Sequence, residues 1–156
     1  MKKLDSIDRK LLTVIQQDAR LTAEQLGHAC GLSPTAALKR LKRLRADGVI
    51  EKEVAVVSPK ALGYNIMAIV MVSLEREDRN VIDRFEQDIR VTPQIMQGFY
   101  IAGDSDFALT IVARNMDEYD EFTREFFYDR HRIKNFKTCM IMKPLKLGAA
   151  VPVLEP

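Results

Sequence analysis

An α+β chain of two unlike domains, a three-helix head and a strand-rich body, is what the sequence predicts, and three observations predict it. The first 60 residues hold three apolar stripes of helical period, each opened by a capping residue. The remainder runs strand-like and helix-like stretches in the order β-α-β-β-α-β. The charge is split at the same place: residues 1–60 carry 12 Lys and Arg against 7 Asp and Glu, a surplus of five, whereas residues 61–156 carry 12 against 15, a deficit of three. A basic head on an acidic body is the asymmetry expected of a nucleic-acid-binding module, although charge alone supports no more than that.

With 47% hydrophobic and 29% charged residues the chain has enough apolar mass for a core and is not a disordered sequence. Its longest apolar run, Ile66 to Val72, suits a buried strand and falls far short of the roughly 18 residues that cross a bilayer. The basic start turns polar and acidic at once, without the apolar stretch of a signal peptide. A cytoplasmic protein without membrane contact is expected. Cys30 and Cys139 have no spacing partners and read as thiols, not as a disulfide or a metal clip.

The first helix opens at Asp5, with Asp8 as its capping-box partner and Ile7, Leu11, Val14 and Ile15 as its apolar stripe, and should stop near Asp18. Thr22 caps the second, with Gln25 at the box position, Leu26 and Ala29 facing inward and Gly31 ending it. Ser33-Pro34 then starts a third: a capping hydroxyl followed by proline at the first helical position, where its fixed φ suits the helix. Ala37, Leu41 and Leu44 form its buried stripe, and Gly48 ends it. Two short helices joined by a tight glycine turn, with another packed behind, are a helix-turn-helix. Val49 to Val57 alternates charged and apolar residues and reads as a small β-wing, ended by Ser58-Pro59. The predicted organisation is a winged helix-turn-helix over 1–57, a hinge over 58–64 and a second domain over 65–156.

In that second domain Ile66 to Leu74 is a strand apolar on both faces. Asn80 is placed to cap a helix carrying Val81, Phe85 and Ile89, ended by Thr92-Pro93. Ile95 to Ala102 and Phe107 to Ala113 are strands joined through Gly103-Asp104-Ser105-Asp106. Asn115 caps a helix with Tyr119, Phe122 and Phe126 inward, and Ile133 to Met142 is the last strand. This order is ferredoxin-like, with both helices on one face of an antiparallel sheet. The other face is also apolar, which implies that a second copy covers it in a dimer.

With Ala37, Leu41 and Leu44 inward, the third helix turns Thr35, Lys39, Lys42 and Ala46 outward, with Ala36 and Arg43 beside them and Arg40 and Arg45 flanking the seam. A charge run is ordinarily a solvated face. Here it lies on the second helix of a tight helix-turn-helix, and the residues at its start are small enough to enter a major groove about 12 Å wide. Double-stranded DNA is therefore the expected partner. Thr35, Ala36 and Lys39 are assigned to base edges, Arg40, Lys42 and Arg43 to phosphates, and Ser33 to a phosphate at the helix N-terminus.

Gly103-Asp104-Ser105-Asp106 is first a turn, built of residues that tolerate positive φ. It also sets two carboxylates and several backbone N–H groups on one sheet edge, able to hold an ammonium and a carboxylate together, and an amino acid carries both. The Asp104 and Asp106 pair could take a divalent cation, but two carboxylates alone do not make a metal site. No phosphate-binding glycine motif and no nucleophile beside a His is present, and no cofactor is expected. His28 reads as a helix-surface residue and His131 as a solvated turn residue.

Leu4-Asp5-Ser6-Ile7-Asp8-Arg9, Gln17 to Leu21, Gly31-Leu32-Ser33-Pro34-Thr35, Gly48-Val49-Ile50, Gly103 to Phe107 and Thr138 to Met142 stand in an order and at separations that strongly resemble the Lrp/AsnC (leucine-responsive, feast/famine) family of transcription regulators. The resemblance covers almost the whole chain. It implies a ferredoxin-like effector (RAM) domain that pairs into dimers and assembles further into tetramers or octamers. It also implies an amino-acid effector held between effector domains of different dimers. The family's effector residues carry over to Gly103, Asp104 and Asp106 from the turn, and to Tyr100, Phe136 and Thr138 from neighbouring strands. The chain departs from the family where Tyr128 to Ile133 replaces a Leu-Pro-Gly-Val turn and where Phe136 replaces a common Thr. Haem-biosynthesis decarboxylases resemble this family in both domains, but an enzyme has no need of the basic third helix, and a regulator is the expected function.

Overall fold

Local capping chemistry sets the head. In the computed structural model, which describes residues 3–75, 78–131, 133–148 and 150–153, α1 (Ser6–Ile15) opens with a reciprocal capping box between Asp5 and Asp8. The box of α2 (Ala23–Cys30) joins Thr22 and Gln25, and its end is Gly31 at φ 71°. α3 (Pro34–Ala46) starts at Ser33, whose hydroxyl accepts from the Ala36 N–H. Leu11, Leu26, Cys30, Ala37 and Leu41 are buried between the helices. Gly27 is what lets α2 approach the start of α3: a Cβ there would sit 2.7 Å from the Leu32 carbonyl oxygen. Backbone offers no side-chain end to swing away, so no larger residue fits without moving the turn.

Val49 to Val57, expected as a β-wing, forms no strand. Alternation prepares a segment for a sheet, but a ladder needs the N–H and C=O groups of a neighbouring strand, and no strand among the described residues pairs with it. Val54, Val56 and Val57 stay exposed. The chain divides between Val56 and Val57 and again between Leu145 and Lys146, so that the final segment groups with the head and not with the second domain, where the sequence put it. Gln16 holds it: its side-chain amide donates to the Val151 carbonyl at 3.2 Å and accepts from the Val151 N–H at 2.7 Å. No periodicity announces this return.

Residues 57–145 form the second unit. β1 (Ile66–Leu74), β2 (Ile95–Tyr100), β3 (Phe107–Ala113) and β4 (Ile133–Met140) make an antiparallel sheet of order β2-β3-β1-β4. α4 (Arg79–Val91) and α5 (Met116–Thr123) bring side chains to the face formed by Ala68, Val70, Val72, Phe107, Leu109 and Ile111. Asp78, not Asn80, caps α4, accepting from the Asn80 N–H at 2.8 Å; the carboxylate two residues earlier reaches the same free amides. Asn115 caps α5 as expected. Beyond Thr123 that helix widens into a π-helical segment, Arg124–Arg130. A wider turn narrows the angle between neighbouring side chains, and Phe126 and Phe127 are both buried there.

The π-helical segment delivers His131 to the interior, against its reading as a solvated turn residue: it is 5% exposed. Its ring meets Phe85 at 4.8 Å and Phe126 at 5.0 Å between centroids. Nε2 lies 3.1 Å from an Asp88 Oδ2 without hydrogen-bond alignment, and burial pushes the imidazole below its ordinary value of 6.5.

Candidate DNA-binding and effector sites

α3 presents two classes of cation. Lys39 and Lys42 are exposed and, among the described residues, make no ion pair. All three arginines are engaged. Arg40 Nη1 donates to Asp5 Oδ2 at 2.6 Å and Asp8 Oδ1 at 2.8 Å, and Arg43 Nη2 pairs with the same Asp8 oxygen at 2.5 Å. Arg45 grips Glu53 through two nitrogens at 3.0 and 2.9 Å. Asp8 is 1% exposed, and two guanidinium groups stand against its buried carboxyl group. The Arg40 hydrogen bond, with the Asp8 N–H, also holds the Asp5 carboxyl below the usual carboxylate range.

Ser33 and Thr35 are exposed and Ala36 is half-buried at the start of the helix, on the same unit as the two free lysines. Between them Leu38 is 50% exposed. Sequence reasoning passed over Leu38, although its spacing from Thr35 and Lys42 puts it on the outward stripe. It also passed over Asp8 as more than a cap. No local signal pairs residue 8 with residue 43; only the packing of α1 across α3 does.

The six expected effector residues are not brought together. Tyr100, Gly103 and Asp106 line one open cleft of about 370 Å³ with Ile101 and Ala102. Asp104 is exposed beside it. Phe136 and Thr138 lie on β4, at the other edge of the sheet. One cross-strand row runs Tyr100, Phe107, Val72, Phe136, so Tyr100 and Phe136 are three strand spacings, about 14 Å, apart. Both β4 residues already have partners: Phe136 stacks on Phe127 at 4.7 Å, and the Thr138 hydroxyl lies 2.6 Å from the Tyr119 hydroxyl. Burial raises the Tyr119 phenol above its usual value.

The turn's two aspartates also differ. Asp106 accepts the Leu74 N–H at 2.7 Å, while its own N–H donates to Val72 and its carbonyl accepts from Ile101. That carboxylate ties the β2–β3 connection to the end of β1. The Asp104 side chain makes no such bond among the described residues and is free for another group. Opposite the helices, the sheet exposes Ile69 and Phe99, at 41% and 55%, beside Met67 and Met71.

Residues 67–151 match the Lrp/AsnC ligand binding domain family, and residues 4–51 match the winged helix-turn-helix DNA-binding family. An HTH-type transcriptional regulator of Sinorhizobium fredii is 52% identical over 151 residues, covering 97% of this chain and 89% of its own length. The transcriptional regulator AzlB of Bacillus subtilis is 32% identical, covering 97% of each chain. A crystal structure of a Neisseria meningitidis transcriptional regulator in complex with L-Met superposes with a TM-score of 0.91 at 26% identity, again covering 97% of each. Among the described residues no helix is long and apolar enough to cross a membrane.

Proposed function

Because the chain belongs to the Lrp/AsnC family of DNA-binding transcription regulators, we propose that α3 is the helix it lays in the major groove, and that an amino acid bound at the Gly103–Asp106 edge controls it. The chain is a regulator, not an enzyme. The observation that carries the DNA reading is the pair of uncompensated lysines, Lys39 and Lys42, on a helix that begins with Ser33, Thr35 and Ala36. Ser33 and Lys42 meet phosphates; Thr35, Ala36 and Lys39 meet base edges; Leu38 supplies an apolar surface suited to a thymine methyl.

Lys42→Ala is expected to weaken binding to every duplex alike and to reduce the salt dependence, whereas Lys39→Ala lowers affinity mainly for a duplex selected by the wild-type protein. Fluorescence anisotropy on selected and random duplexes checks this. Equal losses on both duplexes for Lys39→Ala would remove it from base reading.

For the effector, Asp104 is the anion left to hold an ammonium, and the backbone N–H groups of the turn suit a carboxylate. The relative solved with L-Met is a precedent for the ligand class. Because Tyr100 and Phe136 lie at opposite edges of one sheet, a site using both draws them from different copies of the chain. The apolar outer face suits a dimer, and the two edges suit association of dimers into tetramers or octamers on chromosomal DNA. An effector regulates only as far as it favours one assembly over another.

A further inference from the structure

We infer that Asp5, Asp8 and Glu53 are specificity-determining residues: they hold the three arginines of α3 away from the DNA backbone, so that the helix grips DNA with two charges and not five. This rests on α3 being the DNA-facing helix.

By sequence α3 carries Lys39, Arg40, Lys42, Arg43 and Arg45, enough to bind any duplex through phosphates. Attraction to the backbone is independent of sequence, and every cation that neutralises a phosphate strengthens specific and random binding together. A regulator searching a long genome is limited by the ratio of the two affinities. In the folded head each arginine meets a carboxylate: Arg40 meets Asp5 and Asp8, Arg43 meets Asp8, and Arg45 meets Glu53. Five cations face three anions, which leaves the two lysines.

The placement of the pairs makes this more than surface decoration. Asp8 is buried and shared by Arg40 and Arg43, so a guanidinium leaving it for a phosphate would give up a charge pair inside the head. Arg45 is held bidentately, the geometry in which a carboxylate competes best with a phosphate. The lysines have no such anchor. Carboxylates from α1 and from the segment after α3 thus stand where phosphates would otherwise compete.

The test is the salt dependence of binding to a random-sequence duplex, from roughly 50 to 200 mM monovalent salt, where each phosphate contact contributes about 0.9 to the slope. Glu53→Gln frees Arg45 without touching the core, and is expected to tighten random binding and steepen the slope by about 0.9 per head. Asp8→Asn, which frees Arg43 while Arg40 keeps Asp5, should also steepen it by about 0.9 per head. Both should lower the ratio of selected-duplex to random-duplex affinity. Arg45→Gln should leave the slope unchanged, and Lys42→Gln should flatten it by about 0.9. If Arg45→Gln flattens the slope as much as Lys42→Gln, or if Glu53→Gln leaves it unchanged in a protein with wild-type circular dichroism, the arginines already touch DNA and the inference fails while the reading of α3 stands. If Lys42→Gln changes nothing, α3 is not the DNA face and both fail.

Discussion

Each unit of the chain carries a pair of aspartates close together in sequence, and the fold uses the two pairs in opposite ways. In the head, Asp5 and Asp8 are closed off: they cap α1, bind each other's backbone and take up Arg40 and Arg43. In the effector unit, Asp106 spends its carboxylate on the Leu74 N–H, while Asp104 is exposed. A carboxylate's work is thus decided by what packing sets opposite it. Opposite the first pair stand two guanidinium groups of a neighbouring helix; opposite the second stand one backbone amide and solvent. The closed pair organises a surface, and the half-open one leaves a carboxylate in solvent.

The largest effect that could break this contrast is on stability. Asp8→Ala strands Arg43, leaves Arg40 to Asp5 alone and removes half of a capping box, and is expected to cost about 2 to 3 kcal/mol, less than a fully buried pair because both arginines reach water. Urea unfolding measures it. Asp106→Ala, which orphans the Leu74 N–H, is expected to cost about 1 to 2 kcal/mol by the same measurement. Asp104→Ala should stay within about 0.5 kcal/mol. Equal costs for the Asp8 and Asp104 variants would erase the distinction between the closed and the open pair.

His131 sharpens the contrast from another side, as a buried titratable group whose partner is not aligned with it. Asp88 pulls its pKa up, but burial, with Arg84 and Arg130 nearby, leaves it lowered. The unfolded chain, titrating near the ordinary value of 6.5, therefore takes up this proton first as pH falls. The stability tied to the neutral ring is complete above about pH 6.5 and is lost below it, down through the folded value. Melting temperatures at about pH 7.5 and about pH 5.5 should diverge more for the wild type than for His131→Phe. A wild type that gains stability toward acid would mean that the Asp88 pair outweighs burial.

What the sequence made legible was what its neighbours in the chain decide. Asp5, Thr22, Ser33-Pro34 and Gly31 are end signals acting over three or four residues, and the helices of the head begin and end close to where those signals stand. The strands β1 and β3 were equally plain, since each is an apolar run whose alternate side chains are buried against one core. Illegible were the features that depend on distant partners: the arginine pairs of Asp8, the return of Val151 to Gln16, the depth of His131. The β-wing failed for the same reason in reverse, a strand pattern with no strand beside it. The π-helical turn was hidden because Tyr119, Phe122 and Phe126 already satisfy an ordinary helical stripe, and Phe127 enters only when the turn widens. For the candidate effector residues the sequence could name the turn but not the neighbours of the turn, because Phe136 and Thr138 sit across the sheet from it.

An amino acid held at Asp104 is proposed to control how the chain assembles on DNA. The most direct test is sedimentation of the wild type and of Asp104→Asn with a selected duplex, with and without each common amino acid in turn. At least one amino acid is expected to change the size or the duplex affinity of the wild-type assembly, and the same amino acid to leave Asp104→Asn unchanged. No response of the wild type to any amino acid, or an undiminished response in Asp104→Asn, would contradict it.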